Sequence, residues 1–153
     1  MSPAGKRNPD TAFLSRTSIP PEKTAAEIQE ILGRRARRVM SEYDGGEVVA
    51  ISFSVLLEDR EILFRLPVRW ENFFRVALSK HQKSHRRRTP VDREQAKRTA
   101  WRVAKAWLEA QLALIDSGMV ELQEVMLPYI VQAGGQETLY ERIIKSNFLL
   151  EHK

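Results

Sequence analysis

Cations crowd the part of the chain where chemistry is most concentrated. Lys80, Lys83, Arg86, Arg87 and Arg88 share one short stretch, and Arg93, Lys97, Arg98 and Arg102 continue it at helical spacing. Positions 98 and 102 lie on one helix face, and 93 and 97 on another. A loop of Arg and Lys feeding a helix start suits phosphates in two ways. The side chains supply charge, and the first turn supplies free N–H groups. Pro90 removes one of those N–H groups, and Asp92 and Glu94 lower the local potential, so a merely solvated basic face is an equal reading. Glu94 with Arg98 and Lys105 with Glu109 are also ordinary helix-stabilising pairs. A second basic run, Arg34, Arg35, Arg37 and Arg38, follows a short apolar stripe. It is either a solvated helix end, helped by the dipole, or a further phosphate-facing patch.

Other chemistries are excluded one by one. His81 and His85 are four apart, but no third ligand is near, and Lys80, Lys83 and Arg86 would repel a cation. Asp44, Glu58, Asp59 and Glu61 fall at turns, where acids are expected. Restriction-type nucleases place an acid on one strand and a Glu-x-Lys on the next to bind metal. Here the corresponding strand reads Glu61-Ile62-Leu63, with no lysine. Gly-rich phosphate loops, Gly-x-Ser-x-Gly elbows and His-Glu-x-x-His motifs are absent. With no cysteine there is no thiol nucleophile, disulfide or thiolate metal site. The expectation is therefore a protein that is not an enzyme, with no catalytic residue, metal or cofactor.

Charge is unevenly placed. The chain has 153 residues, 42% of them hydrophobic, and a formal net charge of +5. That length suits one domain with a tail. Residues 80–102 hold nine basic and two acidic side chains, a net of +7. From Glu109 onward seven acids face three bases, a net of −4. The longest apolar run, Val48 to Leu57, falls far short of the ~20 residues of a membrane helix. Lys6 and Arg7 are followed by no apolar segment, so no secretion signal is read and cytoplasm is the expected compartment.

The elements that must position these cations can be read in order. Residues 1–21 hold four prolines and few aliphatics and are expected as a disordered or extended arm, with a single domain over 22–150. Phe13, Leu14 and Ile19 are apolar enough to dock on the body. Thr24-Ala-Ala-Glu27 matches a capping box; Ala25, Ile28, Ile31 and Leu32 form a stripe, and Gly33 is a C-cap candidate. Strands are expected at 38–43, 47–57 and 61–66, joined by Asp44-Gly45-Gly46 and Glu58-Asp59-Arg60. Val49, Ile51, Phe53 and Val55 form the greasy face of the middle strand; Val48, Ala50, Ser52 and Ser54 form a small, half-polar one. A helix follows over 70–80, then a basic loop over 81–88. The longest helix runs from Thr89 to Gly118, with Thr89 as cap, Pro90 at the first position and Asp92 against the dipole. Trp70, Trp101 and Trp107 phase with other apolar residues and read as core anchors, though an exposed indole beside the basic loop would favour base stacking. A short helix over 119–127, a Gly134-Gly135 turn and a last helix opened by Thr138 complete the chain.

This makes an α+β fold, a three-stranded antiparallel meander packed against helices, with the long helix across its greasy face. The helix, three-strand meander, helix order is similar to the double-stranded-RNA-binding domain, whose closing helix starts with a basic run. Arg93-Glu94-Gln95-Ala96-Lys97-Arg98 resembles that run. Two departures are the extra helix over 70–80 and the short Asp44–Gly46 turn in place of a minor-groove loop. The segments Ile19-Pro-Pro-Glu-Lys-Thr, Phe64-Arg-Leu-Pro-Val-Arg-Trp70, Ala100-Trp-Arg-Val-Ala-Lys-Ala-Trp-Leu-Glu-Ala-Gln111 and Gln136-Glu-Thr-Leu-Tyr140 together resemble a family of short proteins encoded by bacteriophages and prophages. That resemblance implies a small accessory protein of a phage or its host and carries over no site residue.

The functional expectation is a non-catalytic nucleic-acid-binding accessory protein. DNA or RNA phosphates would meet Lys80, Lys83, Arg86, Arg87, Arg88, Arg93, Lys97 and Arg98, with Arg34 and Arg35 as a second group. The alternative is a protein-interaction or regulatory module that self-assembles or binds another protein. It is motivated by the half-apolar face of the middle strand (Val48, Ala50, Leu56) and by the charge asymmetry. No membrane partner is expected.

Overall fold

The computed structural model describes residues 17–83 and 92–147. Most of the expected arm, the Lys83 side chain, His85, Arg86 to Arg88, Thr89 and Pro90 lie outside the described residues. The chain runs α1 (Pro21–Gly33), β1 (Arg38–Asp44), β2 (Glu47–Leu57), β3 (Arg60–Pro67), α2 (Trp70–Lys83), α3 (Arg93–Asp116), α4 (Leu122–Met126), a 3-10 turn (Leu127–Tyr129) and α5 (Leu139–Lys145). The strands form one antiparallel sheet in the order β1-β2-β3, the expected α+β meander.

Both hairpins close on two residues with positive φ. Gly45 (φ 58) and Gly46 (φ 83) take this conformation freely, whereas Glu58 (φ 47) and Asp59 (φ 64) adopt it against the steric cost of a Cβ. The shared turn geometry follows the right-handed twist of the strands. A bulge leaves Val49 as an extra residue on β2 between the pairs Ala50–Glu42 and Val48–Tyr43. It brings Val48, expected on the half-polar face, into the core beside Ile51, Phe53 and Val55.

One sheet face meets helices. Phe53 stacks on Phe64 across the strands, with ring centroids 5.1 Å apart. Ala25, Ile28 and Leu32 of α1 and Trp101, Leu108 and Leu112 of α3 join the same core. The expectation of the long helix lying directly across the sheet needs refinement. α1 sits closest, against β1 and β2, and α3 packs beside α1 and α2. Between α3 and the sheet lies an apolar cavity of about 350 Å³, walled by Ile51, Leu66, Trp101, Ala104, Trp107 and Tyr129.

On the opposite sheet face the centre of the middle strand is covered, while Met40, Leu56 and Leu63 around it stay exposed. Ala50, Ser52 and Ser54 of the middle strand are buried there, Val48 has joined the core, and Leu56 is open. Long side chains from the flanking strands fold over the small central residues. Ser52 Oγ donates to Glu42 (2.6 Å), Ser54 Oγ donates to Glu61 (2.8 Å), and Arg65 Nε donates to Glu42 (2.8 Å). Glu141 from α5 adds ion pairs to Arg65 and Arg69.

Helix ends show which local signal prevails. α1 begins at Pro21, so Thr24 lies inside the helix and is no cap. Its hydroxyl is fully buried without a hydrogen-bond partner among the described residues. Pro20 and Pro21 start the helix one turn early, because proline at the first position is already set for helical φ. Gly33 is the last helical residue and Arg34 the C-cap, in ordinary right-handed conformation, so glycine is not used there for its left-handed freedom. In α3 the cap is Asp92, whose carboxylate accepts from the Glu94 N–H, and not Thr89. α2 continues to Lys83, so His81 and Lys83 are helical and not part of a loop. The expected 119–127 helix is a shorter α4 followed by a 3-10 turn through Pro128. The Thr138 start is as expected: its hydroxyl accepts from Glu141 N–H, and the Glu141 carboxylate accepts from Thr138 N–H.

Candidate nucleic-acid interface

α1 and α3 run in the same direction. Thr17, just before α1, accepts from Gln95 near the start of α3; Glu27 meets Arg102 and Lys105; Arg35 meets Asp116 at the far end. Arg34 and Arg35 therefore sit at the C-terminal end of α3, and Arg93 to Arg98 at its N-terminal end. At 1.5 Å per residue the separation is about 27 Å. The two basic groups do not merge into one patch.

α2 returns against the start of α3 as an antiparallel hairpin. Trp70 lies beside Lys97, and Phe74 beside Arg93. The Trp70 ring carries the Lys97 ammonium 4.8 Å from its centroid and the Arg93 guanidinium at 5.8 Å. Trp70 is thus half-buried beneath cations, a face already occupied and unlike the open indole that base stacking would use. Trp101 is 1% exposed, the core anchor expected of it. Trp107 is half-buried, edge-on to Tyr129 at 5.6 Å.

Most cations on the body of α3 are engaged within the protein. Lys97 Nζ is 2.7 Å from Glu47 and 3.1 Å from Glu94. The hydrogen bond it donates to Glu47 is the main cause that holds its pKa above the ordinary lysine value, against the opposing effect of burial, with Glu94 adding to the rise. Arg98 donates to Gln95 at 2.7 Å, in place of the expected Glu94 pair. Arg102 and Lys105 converge on Glu27, at 2.6 and 2.8 Å. The Lys105 hydrogen bond is the largest cause that holds the Glu27 carboxyl below its usual range; burial opposes it and Arg102 reinforces it. The expected Lys105–Glu109 pair is present at 3.6 Å. Arg34 reaches Glu30 at 3.9 Å, and Arg35 pairs with Asp116.

The head of the hairpin differs. Lys80 and Arg75 are exposed on α2, and neither has a carboxylate partner among the described residues. The connection from Lys83 to Asp92 carries Arg86, Arg87 and Arg88 in sequence. Arg75 was not singled out from the sequence. It stands alone among apolar and polar neighbours, and only the extension of α2 to Lys83 and the antiparallel hairpin reveal its place near the head. In the sequence Glu27 reads as a capping residue, and no local signal ties it to cations 75 and 78 positions away.

Among the described residues no group of three His, Cys, Asp or Glu side chains is placed to hold a metal ion. No helix among them is long and apolar enough to cross a membrane. No family model, no curated protein and no solved structure matches the chain.

Proposed function

We propose that this chain is a non-catalytic nucleic-acid-binding accessory module that meets phosphates at the head of the α2–α3 hairpin. One observation carries the proposal: cations along the body of α3 are matched to acids or amides, whereas Arg75 and Lys80 at the head have no acid partner among the described residues. Lys83, Arg86, Arg87 and Arg88 belong to the same stretch of chain. Arg93 flanks them, and Lys97, Arg98, Arg34 and Arg35 move to supporting or separate roles. Contacts of this kind position a backbone and read little sequence. The resemblance to short phage-encoded proteins agrees with an accessory role.

Salt-dependent binding to duplex DNA tests it. Affinity should fall steeply with salt, and replacing Arg86, Arg87 and Arg88 together by Ala should reduce the log–log slope by about 2 to 3 units. Arg34→Ala, about 27 Å along α3 from Arg98, should leave the slope unchanged. No binding to single- or double-stranded DNA or RNA at low salt would end the proposal. An Arg34→Ala effect as large as that of the triple variant would move the site to the other end of α3.

A further inference from the structure

The two edges of the sheet are treated differently. On β3, Ile130 and Val131 add a short outer strand: Ile130 bridges Phe64, and Val131 N–H donates to Leu63 C=O at 2.9 Å. Thr138 in turn bridges Val131, so that edge is covered twice. On β1, no described residue pairs with the outer edge. Such an edge is a template for a further strand.

Register fixes which groups face outward. Val68 N–H donates to Val49 C=O, so odd positions of β2 bond toward β3 and even positions bond toward β1. Ala50, Ser52 and Ser54 therefore engage Glu42, Met40 and Arg38. The N–H and C=O groups of Val39, Ser41 and Tyr43 are left pointing away from the sheet. Met40 and Tyr43, on the same strand, are 53% and 62% exposed.

We propose that β1 pairs with β1 of a second copy, antiparallel about a two-fold axis at Ser41, to give a continuous six-stranded sheet. Ser41 is the midpoint of the strand Arg38–Asp44, so this register uses the whole edge. It sets Val39 opposite Tyr43 of the second copy, Met40 opposite Glu42, and Arg38 opposite Asp44, the last pair occurring twice by symmetry. Asp44 is exposed and makes no ion pair among the described residues, and Arg38 has only a 3.6 Å contact with Glu61. Both charges are available. The neighbouring registers are poorer. One sets Glu42 against Glu42, a like-charge pair that opposes association. The other offers Arg38 a Glu42 already bonded to Ser52 and Arg65, and leaves Asp44 beyond the paired strand. Strand edges guarded against self-pairing present like charges to one another; this one presents opposite charges. The proposal does not depend on nucleic-acid binding.

Sedimentation equilibrium on the full chain tests it through charge exchange. Wild type should be a dimer at ~100 μM, well above the micromolar range of a modest interface. Arg38→Asp and Asp44→Arg should each weaken association about tenfold, since two attractions become two repulsions. The double variant Arg38→Asp/Asp44→Arg should restore it. Positions 38 and 44 are about 20 Å apart within one strand, so rescue can arise only between chains. Loss of the Glu61 contact in Arg38→Asp would lower thermal stability but would not be repaired by changing Asp44. A monomeric wild type at ~100 μM, or singles that weaken association without rescue in the double, would overturn the proposal. So would a dimer indifferent to all three variants.

Discussion

The body of α3 and the head of the α2–α3 hairpin carry the same residue types in opposite settings. Along the body, Arg102 and Lys105 are each 19% exposed and locked onto Glu27, and Lys97 is 13% exposed between Glu47 and Glu94. There positive charge ties α1 and β2 to α3. At the head, Arg75 and Lys80 stand in solvent without acid partners among the described residues. Sequence shows a single basic window of net +7 over residues 80–102, and folding divides it. A count of cations therefore overstates the charge that a polyanion can use, and the residues that matter are those the fold leaves unmatched.

The sharpest way to break this contrast is to remove what holds the body rigid. Trp101→Ala should cost about 3–5 kcal/mol in urea unfolding, because a fully buried indole leaves a void that its neighbours fill only partly. A loss below about 1 kcal/mol would mean that the body of α3 is not the anchored element described.

Next in size is the acid at the centre of the cationic triad. Glu27→Gln leaves half-buried Arg102 without a counter-charge and Lys105 with only the more exposed Glu109, and should cost about 1–2 kcal/mol at pH 7. Its pH dependence has a definite sign. Glu27 has a folded pKa below its ordinary value of 4.5, so its stabilisation is complete above that value and is lost as pH falls through the folded pKa. The gap between wild type and Glu27→Gln should thus be widest at neutral pH and close in acid. A gap that widens in acid would contradict the charge-based account.

What was legible in the sequence was local. The three strands were found within one or two residues, because period-two alternation and the Gly45-Gly46 turn act over short spans. The helix start at Thr138 was legible for the same reason. Thr24-Ala-Ala-Glu27 has an equally good pattern and failed, because Pro21 set the helix start and the cap became an interior residue. The outer strand at Ile130 and Val131 is made of strand-favouring residues but is too short for alternation to mark, and it is seen only through its bridges to Phe64 and Thr138. The fate of the cations was not legible. Glu27 finds Arg102 across 75 positions, and Lys97 finds Glu47 across 50. No spacing rule reaches that far, so the candidate site could be bounded from sequence but not sorted into free and matched charge.

The smallest expected effect is the one that separates the two regions most cleanly. Arg75→Ala with Lys80→Ala removes two exposed cations from α2, where neither has an acid partner among the described residues. Alanine has the highest helix propensity, so backbone preference is not lost. Relieving like-charge crowding at the head offsets whatever packing the aliphatic stems provide. Stability should therefore change by no more than about 0.5 kcal/mol in either direction. The same double variant should lower the salt slope of DNA binding by up to about 2 units if both side chains meet phosphates. A loss of stability comparable to that of Glu27→Gln would show that these cations are structural after all. The head and the body would then differ in exposure but not in role, and the contrast on which the nucleic-acid proposal rests would disappear.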